Sequence, residues 1–322
     1  MIHERELAGL EAGVVGLGLM GSSIAVALTI AGHPVRAVAP LKNELTAARK
    51  TIRQLLQHAA GSGLLQHSPE YYLNRMTLSE DFKILKNCSL VQECVVEDKA
   101  IKAAVYEKIS AHTREQAVIS SNTSAIPVSL LQELVPDPGR FLGIHWAEPA
   151  YLTRFMEITR GRQTRDSVAS WVVDLAHCWG KEPTFLQKDI RGFVTNRLMY
   201  AVYRELFTLV AAGETTMEDA DKAFRYDAGS WMSFMGLFER MDQLGLEDFL
   251  ETFSRLFPEL GNASEVPEIM QQIVRNKARG TQEARGLYAY TPEGAAAWEN
   301  AFAEFNKEIY HLADRYQELK NG

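Results

Sequence analysis

At 322 residues the chain exceeds the size at which one hydrophobic core usually stops growing, so two domains are expected. A composition of 46% hydrophobic and 23% charged residues is that of a globular protein and excludes disordered or low-complexity classes. The net charge of -7 lacks the basic excess that nucleic-acid binders carry, and no apolar run reaches a membrane span. The charged start MIHERELAGLE does not read as a secretory signal, so the cytoplasm is the expected location. Cys88, Cys94 and Cys178 match neither zinc-site nor disulfide spacing; buried reduced thiols and no metal are expected.

In chain order, Ala12 to Val15 is a short apolar strand, followed at once by Gly16-Leu17-Gly18-Leu19-Met20-Gly21 and a helix closed by Gly32. Pro34 to Ala39 reads as a second strand. A glycine triad between strand and helix is the setting in which it binds a dinucleotide. Gly16 allows the tight turn, Gly18 admits the pyrophosphate, and Gly21 lets helix pack on strand; Leu19 and Met20 complete the expected cofactor-binding turn. The acidic residue that usually selects NAD, about twenty positions on, falls at Ala39, with Pro40, Leu41 and Lys42 next. The preference between NAD and NADP is therefore open at that point. Lys42, or more weakly Arg36, is a candidate for the NADP 2′-phosphate, unless Lys42 is simply a solvated lysine at a helix start.

A helical pattern from Lys42 to Gln57, the step AAGSG, and a second pattern from Pro69 to Arg75 predict an inserted helical hairpin. Strands at Leu90 to Val95 and Gln116 to Ser120 flank a helix from Asp98 to Ile109, which predicts a mostly parallel sheet. Ser121-Asn122-Thr123-Ser124 follows directly on a strand, where open α/β sheets bind ligands. Two further strands, Phe141 to His145 and Phe155 to Ile158, are joined by the loop Trp146 to Thr153. If they are neighbours, His145 and Glu157 lie side by side. A carboxylate fixes the tautomer of a histidine and stabilises its protonated form, as removal of a hydroxyl proton requires. Spacing alone leaves open that His145 is a structural residue.

From Gly192 on, the runs Asn196 to Ala212, Thr216 to Phe224 and Leu237 to Phe257 are helical, with Thr216 placed to cap at Asp219. Trp231, Phe234 and Phe238 read as core or as a subunit interface, and the tail after Tyr290 as a final amphipathic helix. The expected domains are a doubly wound α/β domain over 1–189 and an all-helical domain over 190–322.

The blocks GLGLMGSSIA, QECVVEDKAIK, SSNTSAIP, GIHWAEPAYLTRFMEI and GFVTNRL resemble, in order and spacing, the 3-hydroxyacyl-CoA dehydrogenase family. That resemblance implies an N-terminal Rossmann domain and a C-terminal helical domain that forms a homodimer. It also implies hydride transfer between NAD and the C3 position of an L-3-hydroxyacyl-CoA. By position it makes His145 the base, Glu157 its partner, and Ser124 and Asn196 the residues that hold the substrate. Asn122 would line the site near nicotinamide, and Glu97 and Lys102 would contact the cofactor.

Three features depart from the family pattern. Ala39 replaces the NAD-selecting aspartate. Glu148 puts a carboxylate where the family's HFFNP has an amide. The hairpin carries no lysine or arginine between Arg53 and Arg75 to meet CoA phosphates. The PAYL step resembles a side branch, the λ-crystallin/L-gulonate and carnitine dehydrogenases, which act on small free hydroxy acids. Hydroxyacyl-CoA is the leading substrate on the resemblance and a small free acid the alternative. A non-catalytic dinucleotide-binding protein is the third reading, against which the retained set of four polar site residues argues.

Overall fold

Strands β1 (Ala12–Val15), β4 (Leu90–Glu93) and β5 (Val118–Ser121) are buried at every residue, as parallel strands covered on both faces must be. The computed structural model describes residues 10–41, 44–281 and 285–291, with single positions or pairs between 293 and 312. Lys42 and most of the expected final helix lie outside the described residues. The chain divides into two compact units, Met1–Val194 and Thr195–Gly322. The division falls a few residues past the boundary expected at 189, because residues just before it pack back on the first unit, as Phe193 shows.

In chain order the first unit runs β1, α1 (Leu19–Ile30), β2 (Val35–Val38), α2 (Glu44–Gly61), α3 (Pro69–Leu73), β3 (Met76–Ser79), β4, α4 (Lys99–His112) and β5. It continues with α5 (Val128–Leu131), β6 (Phe141–Trp146), β7 (Phe155–Arg160), α6 (Asp166–Cys178) and β8 (Glu182–Leu186). One sheet takes the order β3-β2-β1-β4-β5-β6-β7-β8, parallel except between β6 and β7. Strand order reverses between β1 and β4, the switch point where such sheets open a ligand crevice. Separate cores cover the two faces: Ile24, Leu28, Ile52, Leu56 and Val172 on one, Val105, Tyr106, Ile109 and Leu131 on the other. Helix α1 is buried from Gly21 through Thr29, and two of its three buried hydroxyls bond to carbonyls within the chain's local turns, Ser22 to Leu17 (2.9 Å) and Thr29 to Ala25 (2.8 Å). Strands β3 and β8 and helix α6 were not legible from periodicity; the expected helix through Arg75 ends at Leu73 so that β3 can join the sheet edge. Of the three free thiols only Cys88 is fully buried, and Cys178 is exposed on α6.

The second unit is helical: α7 (Thr195–Ala211), α8 (Met217–Tyr226), α9 (Ala228–Trp231), α10 (Leu237–Leu244), α11 (Leu246–Leu256) and α12 (Glu268–Arg275). Thr216 caps α8 by accepting the Asp219 amide at 3.1 Å. The single helix expected over Leu237 to Phe257 is two helices, broken where Gly245 takes φ 104°, a left-handed value that a helix cannot continue through. Among the described residues of this unit only Ala220 is buried. Phe234 and Phe238 are exposed and so are not core. No helix among the described residues is long and apolar enough to cross a membrane.

Candidate active site

The glycine turn separates what the chain itself demands from what a ligand demands. Gly16 has φ 94°, and a Cβ there would lie 2.8 Å from the Cys94 backbone. A Cβ on Gly21 would lie 1.7 Å from the Gly16 carbonyl oxygen. Gly16 is forced by the chain leaving β4 and Gly21 by the close approach of α1 to the turn after β1. A Cβ on Gly18 would meet nothing within 4 Å, yet this residue caps α1 with no side chain to engage its first amides. Open space before a bare helix start is what a dinucleotide pyrophosphate fills. Leu19 is exposed at this opening and Met20 is half-buried. Ala39 is fully buried at the end of β2. Arg36, the weaker candidate for a 2′-phosphate, is excluded: it pairs with Glu11 at 2.6 Å and Thr77 at 2.6 Å, toward the opposite end of the strands.

Across the switch point, Glu93 closes β4 with a wholly buried carboxylate. It accepts from Lys102 Nζ at 2.7 and 2.9 Å, Tyr106 Oη at 2.8 Å, Ser121 Oγ at 2.7 Å and the Val95 amide at 2.7 Å. Burial, and then the Glu93 charge, push the Tyr106 hydroxyl far up and keep it a donor. Lys102 is 1% exposed and also lies 3.2 Å from Glu97. Lys102, expected to contact the cofactor, has its ammonium held by two carboxylates, Glu93 wholly buried and Glu97 partly exposed. Glu97 is partly exposed and accepts the amides of Ala125 and Ile126 at 3.1 Å each, and the Thr123 hydroxyl. Burial alone would raise Glu97, but Thr123, Lys102 and the two amides together hold it below the usual carboxylate range. Glu93 and Glu97 thus anchor both ends of the turn that presents Asn122 and Ser124. Asn122 uses its side-chain oxygen to accept the Trp146 amide at 2.9 Å, and Ser124 is exposed beside it.

The antiparallel register of β6 and β7 sets His145 opposite Glu157. His145 Nδ1 lies 2.9 Å from Glu157 Oε2, and the carboxylate is fully buried. An ionised carboxylate only accepts, so Nδ1 carries the proton and Nε2 is left as the acceptor. The second oxygen of Glu157 accepts the Val194 amide at 3.0 Å. Phe193 packs its ring 5.6 Å from the imidazole, and Phe155 meets it edge-on at 6.2 Å. Phe193 has φ 48°, a left-handed conformation rare for a bulky residue, reached directly after Gly192 at φ 83°. Sequence reading missed Phe193 and Val194 as site residues, although Gly-Phe-Val before TNRL was the available signal. Asn196 stands in the first turn of α7, in the second unit.

The loop joining β6 to β7 carries Glu148, whose carboxyl is raised by partial burial. Its Ala150 amide donates to Ser23 Oγ of α1 at 2.8 Å, and Tyr151 Oη lies 2.8 Å from His58 Nδ1 of α2. The segment after the histidine is thereby tied both to the dinucleotide helix and to the hairpin. Among the described residues no cluster of three metal-ligating side chains occurs.

Comparison with known proteins agrees with this geometry. Residues 11–190 match the NAD-binding domain of 3-hydroxyacyl-CoA dehydrogenase, and residues 192–290 match its C-terminal domain. The chain is 29% identical over 287 residues to the 5-formyl-3-hydroxy-2-methylpyridine 4-carboxylate 5-dehydrogenase of Mesorhizobium japonicum, covering 88% of this chain and 92% of that one. A crystal structure of an enzyme of that name, described as an NAD+-dependent dismutase, superposes with a TM-score of 0.87 at 26% identity, covering 95% and 99% of the two chains. The (S)-3-hydroxybutyryl-CoA dehydrogenase of Ralstonia eutropha superposes with a TM-score of 0.73 at 26% identity, covering 87% and 99%. With its dinucleotide turn at a sheet switch point and a histidine–carboxylate pair beside it, the chain belongs to the 3-hydroxyacyl-CoA dehydrogenase family and is an NAD-dependent oxidoreductase of that family.

Proposed function

We propose that this enzyme oxidises a hydroxyl-bearing carbon of a small free acid, or reduces the matching carbonyl, rather than acting on a CoA thioester. The observation that carries this reading is the likeness, over nearly both whole chains, to a dehydrogenase named for a pyridine carboxylate. One feature of the chain points the same way. The hairpin formed by α2 and α3 offers no lysine or arginine between Arg53 and Arg75, so a polyanionic ligand would forgo charge-assisted bonds of about 1.5–3 kcal/mol each. The CoA reading that leads on sequence resemblance gives way to its alternative.

In this reading His145 Nε2 takes the hydroxyl proton while a hydride leaves the same carbon and the C–O bond becomes a carbonyl. Bound NAD supplies the hydride acceptor. Glu157 stabilises the imidazolium that forms, and in reduction that imidazolium returns its proton to the carbonyl oxygen. Ser124 holds the reacting oxygen, and Asn122 fixes the end of β6 through Trp146. Ala39 leaves room for NADP beside NAD, with Lys42 as the residue for its extra phosphate. The second unit makes a homodimer, since Leu198, Tyr200, Leu246 and Leu250 are exposed in the single chain.

The test is steady-state turnover of the purified protein with 5-formyl-3-hydroxy-2-methylpyridine-4-carboxylate, L-gulonate and L-carnitine, each with NAD+ and NADP+. Acetoacetyl-CoA with NADH and NADPH runs in parallel. A kcat/KM at least tenfold higher for one of the free acids is expected. Faster turnover of acetoacetyl-CoA would return the enzyme to the CoA class, and the preferred cofactor would define what Ala39 and Lys42 select.

A further inference from the structure

Lys181 sits in the turn between α6 and β8, directly after Gly180, and is 4% exposed. Its ammonium donates to the carbonyl oxygens of Ala150, at 2.6 Å, and Thr153. It also lies 5.5 Å over the Trp146 ring, which is stacked on Trp179 at 5.4 Å. Trp146 adjoins His145, and Ala150 and Thr153 lie along the loop that runs from β6 to the strand of Glu157. One buried cation therefore grips the segment that links the two halves of the histidine–glutamate pair.

Among the described residues no carboxylate pairs with Lys181. Its charged neighbours are Arg154, which adds repulsion, and Glu182, whose carboxylate is engaged by Arg154 at 2.7 Å. Burial first, and Arg154 second, push the ammonium down to about 8. An apolar side chain would fill this space without that penalty, so what lysine contributes is two directed donors to loop carbonyls. Other side-chain ties of the loop, Ala150 to Ser23, Tyr151 to His58 and the Thr153 hydroxyl to the Ala147 and Pro149 carbonyls, leave the carbonyls of Ala150 and Thr153 unaddressed.

We propose that Lys181 is a positioning residue: it holds the loop 147–153 in place and, through Trp146, the setting of His145 against Glu157, without touching substrate. The catalytic consequence rests on the reading of His145 as the acid–base residue.

The test compares the wild type with Lys181→Met and Lys181→Arg by hydrogen exchange over residues 146–154, by NADH titration, and by kcat with the best substrate of the panel above. In Lys181→Met, exchange over 146–154 should accelerate at least tenfold while peptides from β1, β4 and β5 keep their rates. Turnover should fall at least tenfold, with KM and NADH affinity within twofold of wild type. Lys181→Arg, which keeps charge and donors, should recover most of both. The proposal is overturned if loop exchange is unchanged, if it rises uniformly across the unit, or if kcat is insensitive to a loosened loop. Should Lys181→Met not fold, Lys181→Gln, which keeps a donor at similar volume, should show the same changes in smaller measure, and its failure to do so counts equally against the proposal. Exchange needs no substrate, so a failed His145 reading shows itself separately, as turnover that survives His145→Gln.

Discussion

The two units of this chain spend their apolar residues in opposite ways. The first buries both faces of its sheet and satisfies even charged interior groups, with Glu93 and Lys102 sealed together and Glu157 bonded at both oxygens. The second has amphipathic helices whose described residues include a single buried side chain, Ala220, while Phe238 is 81% and Leu250 70% exposed. A sheet covered by helices on both sides closes its own core, whereas a helix with one apolar stripe needs another surface to cover it. The histidine–carboxylate pair accordingly lies in the unit that closes its own core, His145 Nδ1 at 2.9 Å from Glu157.

The largest expected effect breaks the chemistry of the first unit without touching its frame. His145→Gln should lower turnover by about 10³-fold, within the range of a lost acid–base residue, with NADH affinity within twofold in a fluorescence titration. A loss under tenfold would move the base elsewhere. Next comes a pair that separates packing from ligand space in the glycine turn. Gly21→Ala forces a methyl onto the Gly16 carbonyl and should destabilise the unit by about 1–3 kcal/mol in urea melts, with loss of cofactor binding. Gly18→Ala has room for its methyl and should melt like wild type while binding NADH more weakly. Equal melting of the two variants would refute this division.

The second unit is probed by Leu250→Glu, which places a charge on its exposed apolar face. Sedimentation should show a dimer in the wild type and a shift toward monomer in the variant, with urea melting of the first unit unaltered. An unchanged mass would mean that this face is not the interface.

The smallest effect is a pH dependence inside the first unit. His33 is buried, accepts the Trp179 indole N–H at its Nε2 (2.8 Å), and faces the Leu10 carbonyl with Nδ1 (3.2 Å). Burial holds its pKa below the ordinary 6.5. The unfolded chain thus binds a proton first, so the stability tied to neutral His33 is complete above pH 6.5. It is lost as pH falls from there toward the folded-state value, at no more than about 1.4 kcal/mol per pH unit. Urea melts of wild type and His33→Gln at pH 7.5 and 5.5 should converge at the lower pH; parallel curves would exclude this group.

The sequence by itself determined the dinucleotide turn, the pairing of His145 with Glu157 and the helical second half, because each rests on a local period or on a short spacing. Strand neighbours of period two place residues opposite one another once their register is right, and the β6–β7 hairpin needed only twelve residues to do so. Periodicity failed where the rule is broken within a few residues, as at Gly245, or where a short edge strand such as β3 carries too little pattern to read. Only the tertiary structure decided which charges are spent inside. Lys102 and Glu97 look alike in sequence as cofactor contacts, yet one is sealed against Glu93 and the other holds the turn of Asn122 and Ser124. Likewise the Val194 amide on Glu157 and the grip of Lys181 on Ala150 and Thr153 join residues about thirty or more positions apart. Such contacts arise from packing whole layers, and no local spacing encodes them, because a buried charge takes whichever partner the closed fold brings within reach.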